Sequence, residues 1–301
     1  MGTSPLSASP LVRRGTALTS TAASFDCAAP VQRSRQQINR ITGAWRTVVA
    51  TSSGYTPAVT TRGGSAARGR FITIEGPEGG GKTRQAAALH ERLHAAGLPA
   101  LLTREPGGTT IGERIRDVLL DAGFDQPLDP WTDALLFTAA RAQLVREVIR
   151  PALADGTTVL CARFSDSTLA YQGFGMGLPL DELRRLQDLA TDRLWPDLTL
   201  LLDLPPEVGL RRKTGQEETR FEAGFDLAFH RRVRDGFRAL ADREPARFVI
   251  VDASPGPHIV LDALLEAVRA RFPELRGIAA KGPVRAGTRS EPEVGTVRTT
   301  R

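Results

Sequence analysis

"FITIEGPEGGGKT", Phe71 to Thr83, decides how this chain is read. Phe71–Glu75 is a short apolar run rich in β-branched residues, which is strand material. Four glycines follow within the eight residues Gly76–Thr83. After them Ala86, Leu89 and Leu93 recur at helical spacing as far as Gly97, a natural stop. The turn satisfies G-x-x-x-x-G-K-[ST] through Gly76, Gly81, Lys82 and Thr83. Glycines at that spacing let backbone N–H groups wrap a phosphate closely, and the helix behind presents its N-terminus to the charge. Lys82 adds a point charge and Thr83 offers an oxygen to Mg²⁺. Pro77, Glu78, Gly79 and Gly80 fill the variable positions, and none is basic. Gly76–Thr83 is therefore the candidate binding loop for a nucleoside triphosphate with Mg²⁺, and by itself it specifies no more than that. A dinucleotide turn is excluded, because Arg84 stands where its third glycine would be.

Outward from this turn, strands and helices alternate. "PALLT", "TTVLCA", "PDLTLLLDL" and "RFVIVD" read as four further strands. Between them lie the helical stretches "TIGERIRDVLLDAG", ended by Gly123, and "DPWTDALLFTAARAQLVREVIRPALADG", split near Pro151. "PLDELRRLQDLA", "PEVGLRR", "DLAFHRRVRDGFRALA" and "IVLDALLEAVRARF" complete the set. Short continuous apolar strands separated by helices imply a parallel sheet of about five strands covered on both faces, an α/β fold. Its ligands bind at the carboxyl ends of the strands.

The formal charge of +6 over 301 residues looks like a nucleic-acid binder until it is located. Residues 1–70 hold nine arginines against one acid, or +8, and residues 277–301 carry +3, leaving 71–276 at −5. No nucleic-acid partner is expected of such a body. Residues 1–69 are Arg- and Ser-rich and acid-poor, the composition of an organelle transit peptide and equally of a disordered extension. Residues 277–301 read as a disordered tail, so the folded unit is expected over 70–276. No run of eighteen apolar residues occurs and no membrane is expected; Cys27 and Cys161 have no metal-ligand spacing. A cytoplasmic protein is the simplest expectation, an organellar one if the extension targets it.

Four more segments lie at expected strand ends or helix faces: "TREPGGT" (103–109), "FTAAR" (137–141), "RFSDSTLAYQG" (163–173) and "RRKTGQEETRFE" (211–222). Phe137 and Arg141 are four apart on one helix face, an aromatic to stack on a base and a guanidinium to meet its edge. Arg163 directly follows a strand, where its fork suits a phosphate. "RRKTGQEETRFE" is too polar for a core and reads as a lid; Arg211, Arg212 and Arg220 would supply the cations the turn lacks. Together with "FITIEGPEGGGKT", these segments resemble thymidylate kinase of the bacterial type over roughly 70–272. The resemblance implies a P-loop kinase fold, ATP-dependent phosphorylation of dTMP with Mg²⁺, and a homodimer. It places Arg104 and Pro106 beside the monophosphate, Phe137 and Arg141 on thymine, and Arg163 on the dTMP phosphate. Thr168 and Gln172 fall at the substrate, and Tyr171 closes on the deoxyribose. Lys82, Arg163, Arg211, Arg212 and Arg220 are the expected catalytic residues.

One position breaks the pattern. Strand three of such kinases ordinarily ends in Asp-Arg, and here it ends in Ala162-Arg163 with both flanks in register. Glu75, an acid at a normally acidic position, is the expected substitute at Mg²⁺ and beside substrate, with Asp166 and Asp203 as weaker ones. An alanine at this point fits a weakened kinase and also fits a nucleotide-binding paralogue that no longer transfers. Met176 is a smaller departure, replacing a frequent arginine in "YQGFGMG".

Overall fold

The computed structural model describes residues 68–121, 128–213, 221 and 224–277. Strands β1 (Phe71–Glu75), β2 (Ala100–Arg104), β3 (Thr158–Ala162), β4 (Leu198–Asp203) and β5 (Phe248–Asp252) form one sheet in the order β2-β3-β1-β4-β5. Every pairing is parallel. Parallel neighbours need crossovers, supplied by α1 (Lys82–Ala95), α2 (Thr110–Leu120), α3 (Pro130–Leu144), α4 (Arg150–Ala154) and α5 (Ser165–Thr168), then α6 (Leu180–Thr191), α7 (Pro206–Lys213), α8 (Leu227–Arg243) and α9 (Pro257–Arg271). With β1 central, the carboxyl ends of β3, β1 and β4 form one rim, and the loops that leave it are neighbours.

Side chains of a strand alternate between faces, so each strand feeds two cores. On one face Ile72, Ile74, Leu160, Ala162 and Leu200 pack with Ala86, Leu89 and Leu93 of α1 and Leu264 and Leu265 of α9. On the other, Phe71, Val159 and Cys161 meet Leu144, Ile149 and Phe164. Leu201 and Phe248 meet Leu183, Val233 and Phe237 on that side as well. Pairing of Ile74 with Ala162 puts Ala162 on the α1 face, while Glu75, one residue on from Ile74, turns away from it.

The helices mostly fall where the pattern placed them. α2 stops at Leu120, with Asp121 extended at ψ 119°, short of Gly123, which lies outside the described residues. α3 passes through a π-helical turn at Val145–Ile149 into α4, the expected split at Pro151. A proline there has no N–H for the preceding turn, and its ring displaces that turn's carbonyl. "SDSTLAYQG", left unassigned by periodicity, is helical: α5 continues as a π-helical turn over Leu169–Gly175. Such wide turns are frequent at functional sites, and this one carries the buried Tyr171.

Candidate active site

The cradle has the backbone its glycines imply. Gly76 has φ 137°, and a Cβ there would lie 2.3 Å from the Leu202 carbonyl oxygen. Gly79 has φ 71° and abuts α7, where a Cβ would lie 2.1 Å from the Gly209 carbonyl oxygen. No larger residue fits this backbone-to-backbone contact. Lys82 opens α1, is buried, and donates from Nζ to the Pro77 carbonyl oxygen at 2.6 Å. Burial, then Arg163, push its pKa down to about 7. Thr83 follows, exposed, in the first turn of α1.

Across the rim, Arg163 takes the left-handed conformation, φ 69°, which costs a non-glycine residue about 1–3 kcal/mol. The reversal swings its guanidinium back over the cradle. Nη1 donates to the Gly76 carbonyl oxygen at 3.4 Å and to Ser167 Oγ at 3.3 Å, and Nη2 to Tyr171 Oη at 3.2 Å. Arg163 also pairs with Glu78, and its guanidinium carbon lies 5.0 Å from the Tyr171 ring centre. Glu78 further accepts from Tyr171 Oη at 2.9 Å and has Lys213 Nζ at 3.4 Å. Burial alone would raise the Glu78 carboxyl, but Arg163, Lys82 and Lys213 outweigh it and hold it well below the usual range. Lys213 was not anticipated as a site residue. Its signal was the i,i+4 spacing from Gly209, the residue of α7 that touches the cradle.

A second group of guanidinium ions lies beyond β2. Arg104 and Arg116 each donate to the Pro106 carbonyl oxygen at 2.9 Å, and Arg104 Nη2 donates to Glu113 at 3.0 Å. The Glu105–Pro106 bond is cis. Burial, with Arg104 and then Arg163 among the charges around it, draws the Arg116 pKa down to about 10. That crowding of cations suits an anion. Arg116 too escaped the sequence reading, being one of two arginines on α2.

The base side is built as a floor and an aromatic wall. Arg141 is 1% exposed; Nε donates to Glu105 at 2.8 Å, Nη1 to Thr168 Oγ1 at 3.0 Å and to Gln187, and Nη2 to the Phe164 carbonyl oxygen at 3.1 Å. Any contact it makes to a base edge therefore comes from a group already fixed by protein. Gln172 is buried and donates to Asp133 at 2.9 Å, so it braces α3 from beneath. Phe137 is half-buried, with its ring 6.1 Å from that of Phe221, which lies 5.5 Å from Tyr171. Phe221 belongs to the segment read as a charged lid, so that segment also contributes an apolar contact. Arg212 is tied to the loop after β5, donating to the Ala253 and Ser254 carbonyl oxygens at 2.9 Å. Arg211 is exposed on α7, and Arg220 lies outside the described residues.

The expected substitutes for an acid at position 162 fail. Glu75 is fully buried on the sheet face opposite Ala162; it accepts from the Phe164 N–H and from Ser167 Oγ, each at 2.6 Å. Burial and the neighbouring Asp166 lift its pKa to about 7. It is placed neither to hold Mg²⁺ nor to touch substrate. Asp166 is fully buried and gripped by both terminal nitrogens of Arg247, at 2.7 and 2.8 Å. Asp203 is gripped by Arg234, at 2.7 and 2.8 Å. Among the described residues no cluster of three metal-ligating side chains exists. The donor set still fits Mg²⁺, which keeps waters and is commonly held by one or two protein oxygens and the phosphates of its nucleotide. Thr83, exposed in the first turn of α1, would be that oxygen.

A phosphate cradle on the central strand of a 2-3-1-4-5 parallel sheet, facing an arginine-lined pocket across one rim, defines a P-loop kinase of nucleoside monophosphates. The family model described as thymidylate kinase matches residues 74–264. The chain belongs to the thymidylate kinase family. The thymidylate kinase of Thermomicrobium roseum is 56% identical over 200 residues, covering 66% of this chain and 93% of that one. That of Deinococcus radiodurans is 54% identical over 189 residues, 62% of this chain and 90% of its own length. Among solved structures, thymidylate kinase from Ehrlichia chaffeensis superposes with a TM-score of 0.54 at 33% identity, covering 67% of this chain and 99% of that one.

Proposed function

We propose that this chain transfers the terminal phosphoryl group of ATP to the phosphate of dTMP, with ATP on the cradle Gly76–Thr83 and dTMP across the rim. The observation that carries this is the junction of Arg163, Glu78 and Tyr171. One guanidinium there touches the cradle carbonyl of Gly76 and the aromatic that flanks the base side. No general base is needed, because a phosphate monoester, with a second pKa of about 6, already presents an anionic oxygen at neutral pH. The protein's part is to position two anions end to end and spread the charge that develops. Lys82, its charge favoured again by bound phosphates, holds the donor; Arg163, with Arg104 and Arg116, holds the acceptor. Mg²⁺ bound at Thr83 would neutralise phosphate charge. Arg211 and Arg220 remain as lid cations, while Arg212 and Lys213 anchor α7 to the β5 loop and to Glu78.

Thymine would lie against Phe137, above the floor of Arg141 and Thr168. Stacking on an aromatic is worth about 1–3 kcal/mol per base. Phe137→Ala is expected to raise KM for dTMP by roughly 5–150-fold with a smaller change in kcat, read from initial rates; an unmoved KM removes the base from this wall. The reaction itself is tested by ADP formation with ATP, Mg²⁺ and dTMP. Phosphoryl transfer faster to dTMP than to dUMP or dGMP is expected. ATP hydrolysis indifferent to dTMP would sink the reading, and binding of both nucleotides without turnover would leave a binding protein.

The catalytic unit is taken as residues 70–276 flanked by extensions, a division favoured by the family match over residues 74–264. No described helix is long and apolar enough to cross a membrane. Ile111 and Val118 on α2 and Leu135 on α3 are 53%, 43% and 52% exposed, apolar side chains on two helices in contact that favour a homodimer through them. Light scattering of the purified chain should give twice the monomer mass, and Leu135→Asp should halve it. A wild-type monomer at micromolar concentration contradicts the dimer.

A further inference from the structure

We infer that Glu75 is a positioning residue: it holds the chain reversal at Arg163 and thereby aims the guanidinium that meets the acceptor phosphate. This rests on the reading of Arg163 given above. Arg163 is a non-glycine residue in the left-handed region, and such a turn persists only where its surroundings over-determine it. Three bonds do so. The Arg163 N–H donates to the Ile74 carbonyl oxygen at 3.0 Å, Cys161 Sγ donates to the Arg163 carbonyl oxygen at 3.0 Å, and the Phe164 N–H donates to Glu75 Oε1 at 2.6 Å. Only the last is made to a side-chain carboxyl group, and it is the shortest of the three.

The second carboxylate oxygen reaches the other end of the same residue. Glu75 Oε2 accepts from Ser167 Oγ at 2.6 Å, and Ser167 Oγ in turn accepts from Arg163 Nη1 at 3.3 Å. One carboxylate thus grips the backbone just after Arg163 and, through a hydroxyl, the guanidinium itself. Ser167 rides on α5, which is pinned by the pair of Asp166 and Arg247. Glu75 has no exposed surface and lies on the face away from the cradle helix, so it acts on a ligand only through Arg163.

The test is calorimetric titration of the full chain with dTMP and, separately, with a non-hydrolysable ATP analogue and Mg²⁺, alongside thermal unfolding. Glu75→Ala should weaken dTMP binding about tenfold or more, with the ATP analogue moving less than about twofold. Glu75→Gln should stay within about threefold of wild type for dTMP, since its carbonyl still accepts from Phe164 and its amide can donate to the serine. Ser167→Ala, which keeps the Phe164 bond, should fall between. A folded Glu75→Ala that binds dTMP normally overturns the inference, as does an equal loss for both ligands. Loss of Mg²⁺-dependent analogue binding in Glu75→Gln would make Glu75 a metal residue and overturn it too. Where Glu75→Ala does not fold, unchanged dTMP affinity in Ser167→Ala does the same. Arg163→Met separates the two readings. If it binds dTMP like wild type, the role given to Arg163 is wrong; if it loses dTMP while the Glu75 variants do not, only this inference fails.

Discussion

Arg163→Met is expected to lower kcat/KM for dTMP by about 10²–10³-fold, the range seen when one preorganised donor to developing charge is removed. Methionine keeps most of the packing volume but none of the five N–H donors. The loss reaches further than one phosphate contact, because Arg163 joins Gly76 of the cradle, Ser167 of α5 and Tyr171 of the acceptor side. It is also a strong cation beside Glu78, leaving that half-buried carboxylate with Lys213 and the Tyr171 hydroxyl. Arg163→Lys should recover little, since an ammonium cannot span Gly76 and Tyr171 together. Single-turnover rates at saturating dTMP, set beside equilibrium affinities, separate transfer from binding. A fall in kcat as large as that in kcat/KM marks a contact made in transfer; a change confined to KM leaves Arg163 as a binding residue alone.

The part of this site legible in sequence is the part that chemistry forces into a short spacing. A loop that wraps phosphate with backbone N–H groups must place its glycines and lysine within eight residues, so Gly76–Thr83 could be read directly. Arg163 could be placed because it follows an apolar run that had to be a strand. The faces of the sheet were not legible to the same degree. Glu75 and Ala162 both end strands, but the register pairs Ala162 with Ile74, not Glu75, and so sets their side chains on opposite sides. Register comes from packing of the whole sheet and leaves no local mark. Arg116 and Lys213 were hidden for another reason. Each shares its helix with other basic residues, Arg114 on α2 and Arg211 and Arg212 on α7, and helix phase alone selects the one that faces the rim.

Ala162→Asp is expected to raise turnover by about 10–100-fold at limiting Mg²⁺, the magnitude typical of an outer partner at a metal site. In P-loop enzymes the metal is held by the cradle hydroxyl together with an acid at a neighbouring strand end. Thr83 would supply the first, and of the acids near the cradle among the described residues none is placed to supply the second. Glu75 faces the other way, Asp166 and Asp203 are each gripped by an arginine, and Glu78 is occupied by Arg163 and Lys213. The Ala162 methyl packs in the same cluster as Ala86, one turn along α1 from Lys82 and Thr83, so a carboxylate grafted there points toward the cradle helix. It would also be poorly hydrated, because Ala162 is 5% exposed. Burying that acid without a cation costs stability, so the free variant should melt below wild type. Mg²⁺ with an ATP analogue should then raise its melting temperature by more than it raises that of wild type, because the added ligand binds the folded state more tightly. The advantage in turnover should narrow as Mg²⁺ saturates. A folded variant whose rate and ligand-induced stabilisation match wild type at every Mg²⁺ concentration would show that position 162 does not address the metal, and that the alanine there has little effect on transfer.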